Sequence, residues 1–188
     1  MRKLKLQIQT TLNGFVAKPG GELDWITWDW TDDIKVFLTE LTNSMDTIIL
    51  GRKLAEGFIP YWADVKTKPD HQEYEAGKIF TDTPKIVFSK ALTTSLWDNT
   101  EVTSENLTDK VTELKNKKGK DIISYGGADF VSSLIKENLI DEYYLFVNPV
   151  AIKEGLRIFD KLTDMKKFKL TETRRFDCGI NLLKYENK

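Results

Sequence analysis

The feature that most constrains this chain is a succession of short apolar runs, separated by segments with helical periodicity. Thr47-Ile48-Ile49-Leu50, Lys85-Ile86-Val87-Phe88 and Asp121-Ile122-Ile123-Ser124-Tyr125 are too short for helices, and they lack the alternation of a strand with one wet face. They read as strands buried on both faces. Between and around them, apolar residues recur every three or four positions: Ile34, Phe37, Leu38, Leu41 and Met45; then Leu107, Val111 and Leu114; then Phe130, Val131, Leu134 and Ile135. Thr31 or Asp32 is placed to cap the first of these helices. Strands alternating with helices predict an α/β domain with a parallel core.

The ends of the chain differ from its middle. Leu4, Leu6 and Ile8 alternate with Lys5, Gln7 and Gln9, which predicts a half-buried strand running toward Thr10-Thr11-Leu12. Asn13-Gly14 and Pro19-Gly20-Gly21 then mark a loop. Toward the end, Glu142 to Val147, Phe168 to Phe176 and Asn181 to Tyr185 are strand-like, with no helical pattern between the last two. Asp177-Cys178-Gly179 supplies a hairpin turn, so an antiparallel edge is expected. A short helix is expected to open at Arg52, and the weakly patterned stretch Trp62 to Thr83 reads as an exposed excursion. No repeat or linker divides the chain, so residues 1–188 are expected to form one domain.

Composition removes several functions. Lys and Arg number 28 against 29 Asp and Glu, a net charge of -1, so no basic field exists to hold nucleic acid or an anionic membrane. One cysteine, Cys178, and one histidine, His71, exclude a disulfide framework and remove most of the material for zinc or thiol chemistry, so no metal site is expected. Met1-Arg2-Lys3 leads directly into the first strand rather than into a secretory apolar region, and a cytoplasmic location is expected.

In an open α/β sheet, ligands bind beyond the carboxyl ends of the strands. Three of these ends are unusual. Gly51-Arg52-Lys53 places two cations at a helix start, where they oppose the helix dipole unless an anion offsets both. Ser89-Lys90 adds a hydroxyl and an ammonium after the next run, and Gly126-Gly127-Ala128 allows a phosphate to approach free N–H groups of the helix that follows. Each has a plain alternative: solvated charges, an ordinary turn, a tight strand-to-helix step. Together they fit one phosphorylated nucleotide lying across the sheet edge. Opposite it, Asp24 and Asp32-Asp33 lie near Trp25, Trp28 and Trp30. A carboxylate desolvated by indole rings has a raised pKa and can bind or protonate a nitrogen heterocycle.

These residues resemble a known superfamily. Leu4 to Ala17, with Thr11-Leu12-Asn13-Gly14-Phe15-Val16-Ala17, is similar to the first strand and turn of the reductase domain of riboflavin biosynthesis, the RibD C-terminal domain. Asp46 to Lys53 ("DTIILGRK") resembles a segment shared with dihydrofolate reductase. Ile122 to Phe130 ("IISYGGADF") and Leu139 to Phe159 ("LIDEYYLFVNPVAIKEGLRIF") resemble that superfamily's Gly-Gly helix start and its later strand. The resemblance runs over nearly the whole chain in order, and it is closest to stand-alone bacterial members.

It implies a dihydrofolate reductase-like α/β fold with flanking helices and a mixed, mostly parallel sheet of about eight strands ending in an antiparallel edge. It also implies NADPH as cofactor. By position Gly51, Arg52, Lys53, Leu54, Ser89 and Lys90 would face the 2'-phosphate side, Gly126, Gly127, Ala128, Asp129 and Phe130 the pyrophosphate, and Leu12 and Ala17 the nicotinamide. Asn13, Trp25 and Phe37 would bind substrate, with Asp33, Asp24 or an ordered water as proton donor. Asp33 to Phe37 resembles the dihydrofolate reductase segment whose Asp binds the pterin. Departures are Leu54 for a phosphate-binding Thr, Asn13 for Asp, and Lys153 for Gly.

The function so implied is NADPH-dependent reduction of a small nitrogen heterocycle, of the 5-amino-6-(5-phosphoribosylamino)uracil type, by a homodimer. One His and one Cys cannot build the zinc deaminase of the bifunctional riboflavin enzyme. The alternatives are a dihydrofolate reductase, which needs Asp33 buried beside the nicotinamide, and a non-catalytic NADPH-binding module.

Overall fold

The computed structural model describes all residues 1–188. Along the chain the elements are β1 (Leu4–Thr10), α1 (Asp32–Asn43), β2 (Met45–Gly51), α2 (Arg52–Val65), α3 (Tyr74–Asp82), β3 (Lys85–Phe88) and β4 (Thr100–Thr103). These are followed by α4 (Leu107–Asn116), β5 (Asp121–Ser124), α5 (Ala128–Lys136), β6 (Glu142–Val147), β7 (Phe168–Arg175) and β8 (Asn181–Asn187). The strands form one sheet in the order β4-β3-β2-β5-β1-β6-β8-β7. Strands β4 to β6 of that order are parallel, β8 runs antiparallel to β6, and β7 pairs antiparallel with β8. The expected fold and its antiparallel edge are present.

The two faces of the sheet carry separate cores. Leu4, Leu6 and Ile8 of β1 and Ile122 of β5 pack under α4 and α5 through Val111, Leu114, Val131, Leu134 and Ile135. On the other face Ile48 and Leu50 of β2 and Ile123 of β5 pack under α1 and α2 through Ile34, Phe37, Leu38, Leu41, Ala55 and Ile59. Runs such as Ile48-Ile49-Leu50, wholly buried, therefore serve both layers at once.

The structure corrects two readings. The helix opening at Arg52 is not short; it runs 14 residues, through Pro60, to Val65. Nor is Trp62 to Thr83 an exposed excursion: it holds the end of α2 and the whole of α3. The two helices meet where Gly77 has no side chain, since a Cβ there would lie 2.7 Å from Val65 Cγ1. Phe58, Trp62, Phe80 and Tyr125 form the aromatic contact beneath them. Lys85 opens an otherwise apolar strand because its Nζ donates to the carbonyls of Phe80, Thr81 and Thr83, closing the free end of α3 from below. The short edge strand β4 had no clear signal in the sequence.

Candidate functional site

The chain leaves β1 toward α1 on one face of the sheet and leaves β5 toward α5 on the other, although β1 and β5 are neighbours. Their carboxyl ends therefore diverge and open a crevice, the place where sheets of this kind hold ligands. Beside it lie the ends of β2 and β3, because β2 separates β5 from β3. Three of the sequence candidates thus meet along one edge: residues 51–54, 89–90 and 126–130.

Gly126 and Gly127 form the turn at the mouth of the crevice, with φ of +137° and +80°, which residues with a Cβ rarely adopt. Neither N–H has an intramolecular hydrogen-bond partner. The turn is bounded by β1, α2 and α5: a Cβ on Gly126 would sit 3.9 Å from both Ile8 Cδ1 and Leu54 Cδ2, and one on Gly127 would sit 3.8 Å from Phe130 Cβ. Helix α5 starts at Ala128 with no side-chain cap, so its first N–H groups point toward the same opening. Asp129 turns away, exposed and 2.6 Å from Lys161 Nζ.

Helix α2 likewise starts without a side-chain cap and without an acidic residue in its first turn. Arg52 is paired with Glu56 at 2.6 Å, whereas Lys53 and Lys90 have no acidic partner within ion-pair distance. Gly51 is small for a packing reason: a Cβ there would lie 2.7 Å from Phe130 Cβ. Ser89 is buried, and its Oγ accepts from the N–H groups of Ala91 and Leu92, which makes it a turn residue.

On the other side of the crevice, the substrate candidates are dispersed. Leu12 is 66% exposed at the rim, and its N–H donates to the carbonyl of Val150. Ala17 is buried and its backbone pairs with Leu156. Asn13 clamps the loop after β1 to the segment after β6, accepting from Thr11 Oγ at 2.9 Å and donating to the carbonyl of Ile152 at 2.7 Å. Phe37 lies in the core against Tyr144, Phe146 and Phe176 rather than in a binding site.

The two carboxylates expected as proton donors are in the wrong environment for that role. Asp24 is exposed and 2.7 Å from Lys18 Nζ, so no indole desolvates it. Asp33 is exposed, and hydrogen bonds from the Thr31 hydroxyl and the Asp177 N–H hold its carboxyl below the usual range. It ties α1 to the β7–β8 hairpin. Trp25, in contrast, is buried with its indole N–H unpaired.

Sequence reasoning overlooked three polar residues here. Asn148, fully buried at the end of β6, accepts from the N–H of Thr27 at 3.1 Å and donates to Gln9 Oε1 at 2.8 Å. Gln7 and Gln9 project from β1 toward α1 and α2, a direction given by their register with Tyr144 and Phe146. The signal was present in the alternation of β1, but it was read as a wet face, not as the polar floor of a covered strand.

Residues 2–182 match the RibD C-terminal domain family. Over 188 residues the chain is 32% identical to the uncharacterized protein YyaP of Bacillus subtilis, covering 98% of this chain and 94% of that one. YwjB of the same organism is 29% identical over 181 residues, covering 96% of each. A crystal structure of a putative riboflavin biosynthesis protein from Shewanella sp. PV-4 superposes with a TM-score of 0.76 at 21% identity, covering 100% of this chain and 99% of that one. The diaminohydroxyphosphoribosylaminopyrimidine deaminase/5-amino-6-(5-phosphoribosylamino)uracil reductase of Thermotoga maritima has a TM-score of 0.70 at 17% identity, with all of this chain covering 57% of that protein. The family match covers nearly the whole chain, and the chain belongs to the RibD C-terminal domain family.

Proposed function

We propose that this protein is an NADPH-dependent reductase acting on a small nitrogen heterocycle of the ribosylaminouracil type. The observation that carries the reading is the Gly126–Gly127 turn, which offers two unpaired N–H groups at the mouth of the crevice. The residues present suit the cofactor. Gly126, Gly127 and the start of α5 would hold its pyrophosphate, and Lys53 and Lys90, free of carboxylate partners, would meet the added charge of a 2'-phosphate. Bound NADPH would supply hydride from its nicotinamide ring.

The chain's own contribution is position and dryness. Trp25 is buried in the loop after β1, and Asn148 holds that loop to the end of β6. Neither Asp24 nor Asp33 is placed to supply the proton, which this reading assigns to water. The exposed position of Asp33 also removes the feature a dihydrofolate reductase would need.

The test is binding of NADPH and NADH, followed by energy transfer from tryptophan to the nicotinamide, for the protein and for a Lys53→Ala/Lys90→Ala variant. NADPH is expected to bind more tightly than NADH, with the variant losing at least about tenfold for NADPH alone. Absence of binding by either nucleotide overturns the proposal. Saturable binding with no NADPH oxidation across pyrimidines and pteridines would leave a non-catalytic module.

A further inference from the structure

Strand β1 is central, hydrogen-bonded to β5 on one side and β6 on the other, and its neighbours on the α1–α2 face are large and apolar: Ile123, Tyr144 and Phe146. A strand in that position ordinarily presents apolar side chains to the helices above it. This one presents Lys5, Gln7 and Gln9. Lys5 is accounted for by Asp121 and Ser44. The two glutamines are not covered in the same way: both remain partly exposed although they stand in mid-sheet, so the helix layer is open above them.

Their hydrogen bonds differ. Gln9 is held from below by Asn148, whose amide donates to its Oε1 at 2.8 Å, and its own NH2 group has no partner. Gln7 has none at either amide atom, and its Oε1 is buried. A buried carbonyl without a partner loses its hydration for no return, and it marks a place where a water or a ligand N–H can supply the missing donor. Tyr125, one residue past the end of β5, lies on this same face, stacked on Phe58 with ring centroids 5.4 Å apart. The floor is thus a pair of amides beside the Tyr125 ring, which is held in place by Phe58 and Phe80.

We propose that Gln7 is the residue that selects the substrate ring, by pairing its amide with a lactam edge. An amide offers one acceptor and two donors on neighbouring atoms. A cyclic amide such as a pyrimidinone offers the reciprocal pair, a ring N–H beside a ring C=O. Which end of the Gln7 amide carries oxygen does not alter the match, because a lactam presents both partners. Gln9, oriented by Asn148, adds one donor. This deepens the reductase reading, on which it rests only for the identity of the reacting ring; the pairing itself requires no cofactor.

The test uses two small probes that differ at that edge: 5,6-diaminouracil, which presents ring N–H groups beside ring C=O groups, and 5,6-diamino-1,3-dimethyluracil, in which both ring N–H groups are methylated. Binding is measured by calorimetry, with and without NADPH, for the wild type, Gln7→Leu and Gln7→Glu, with thermal melts to verify folding. The wild type is expected to bind diaminouracil at least about tenfold more tightly than its dimethyl derivative, and Gln7→Leu to lose that preference. Gln7→Glu is expected to weaken diaminouracil binding, because a carboxylate cannot donate to the ring C=O beside the N–H. Unchanged diaminouracil binding in a folded Gln7→Glu protein, or a preference unchanged in Gln7→Leu, overturns the assignment. So does failure of the wild type to bind diaminouracil while it binds NADPH. Binding of diaminouracil through Gln7 with no binding of NADPH would support the pairing and overturn the reductase reading instead.

Discussion

Gly51 and Phe130 are packed so closely that the end of β2 has no room for a side chain: a Cβ on Gly51 would come within 2.7 Å of Phe130 Cβ. The Phe130 ring crosses this point to meet Phe88 of β3, with centroids 5.4 Å apart. One contact therefore joins the starts of α2 and α5, the two helix ends that flank the proposed cofactor.

Gly51→Ala is expected to destabilise the fold by about 1–3 kcal/mol, the usual cost of forcing a methyl into a filled site. The backbone there is extended, so no conformational strain adds to it. Denaturant midpoints measure the effect. The same substitution made in a Phe130→Gly background, which removes that Cβ, should cost much less, and an equal cost in both backgrounds would sink the packing account.

Asp33→Asn should separate the structural from the catalytic role of that residue. Its carboxylate accepts from the Thr31 hydroxyl and from the N–H groups of Ile34 and Asp177, and it stays ionised under these bonds. The variant is expected to loosen the β7–β8 hairpin, seen as faster amide exchange at Asp177 and Cys178, while turnover changes less than about tenfold. Loss of a general acid would instead lower the rate by about 10²–10⁴.

Glu142 governs acid sensitivity at the opposite end of β6. It is buried, and burial opposes its charge. Hydrogen bonds from Lys3 and Tyr144, with the charge of Lys184, nevertheless outweigh that burial and hold its pKa below the ordinary value. A carboxyl whose pKa is lower folded than unfolded stabilises the fold above its unfolded pKa, and that contribution disappears as pH falls through the folded value. Unfolding free energy measured from pH 6 down to pH 3 should therefore fall less steeply in Glu142→Gln than in the wild type. Parallel curves would show that Glu142 does not contribute.

Much of the fold was legible because its elements carry strong local signals. Lys85–Phe88 and Glu142–Val147 match their sequence readings residue for residue, and α1, α4 and α5 follow the 3.6-residue spacing of their buried side chains. Helices α2 and α3 were less legible. Ala55, Phe58, Ile59, Trp62 and Val65 do follow helical spacing, but Gly57 and Pro60 both disfavour a helix locally, and Gly77 lay in the stretch read as an excursion when it is the point where two helices touch. Strand β4, Thr100–Thr103, is short and polar, and it exists because β3 offers an open edge.

The sequence by itself determined the alternation of strands and helices, the antiparallel hairpin at the end, and the cations and glycines placed just after three strands, since each depends on residues near one another in the chain. Only the tertiary structure decided which of these meet. Sheet order sets the ends of β3, β2 and β5 side by side and opens the crevice between β5 and β1, while Asp33 and Phe37, equally plausible in sequence, are drawn to the hairpin and the core. The same order converts Gln7 from the wet side of a strand into an unpaired amide at mid-sheet, because what a side chain faces depends on the elements folded over it and not on its neighbours in sequence.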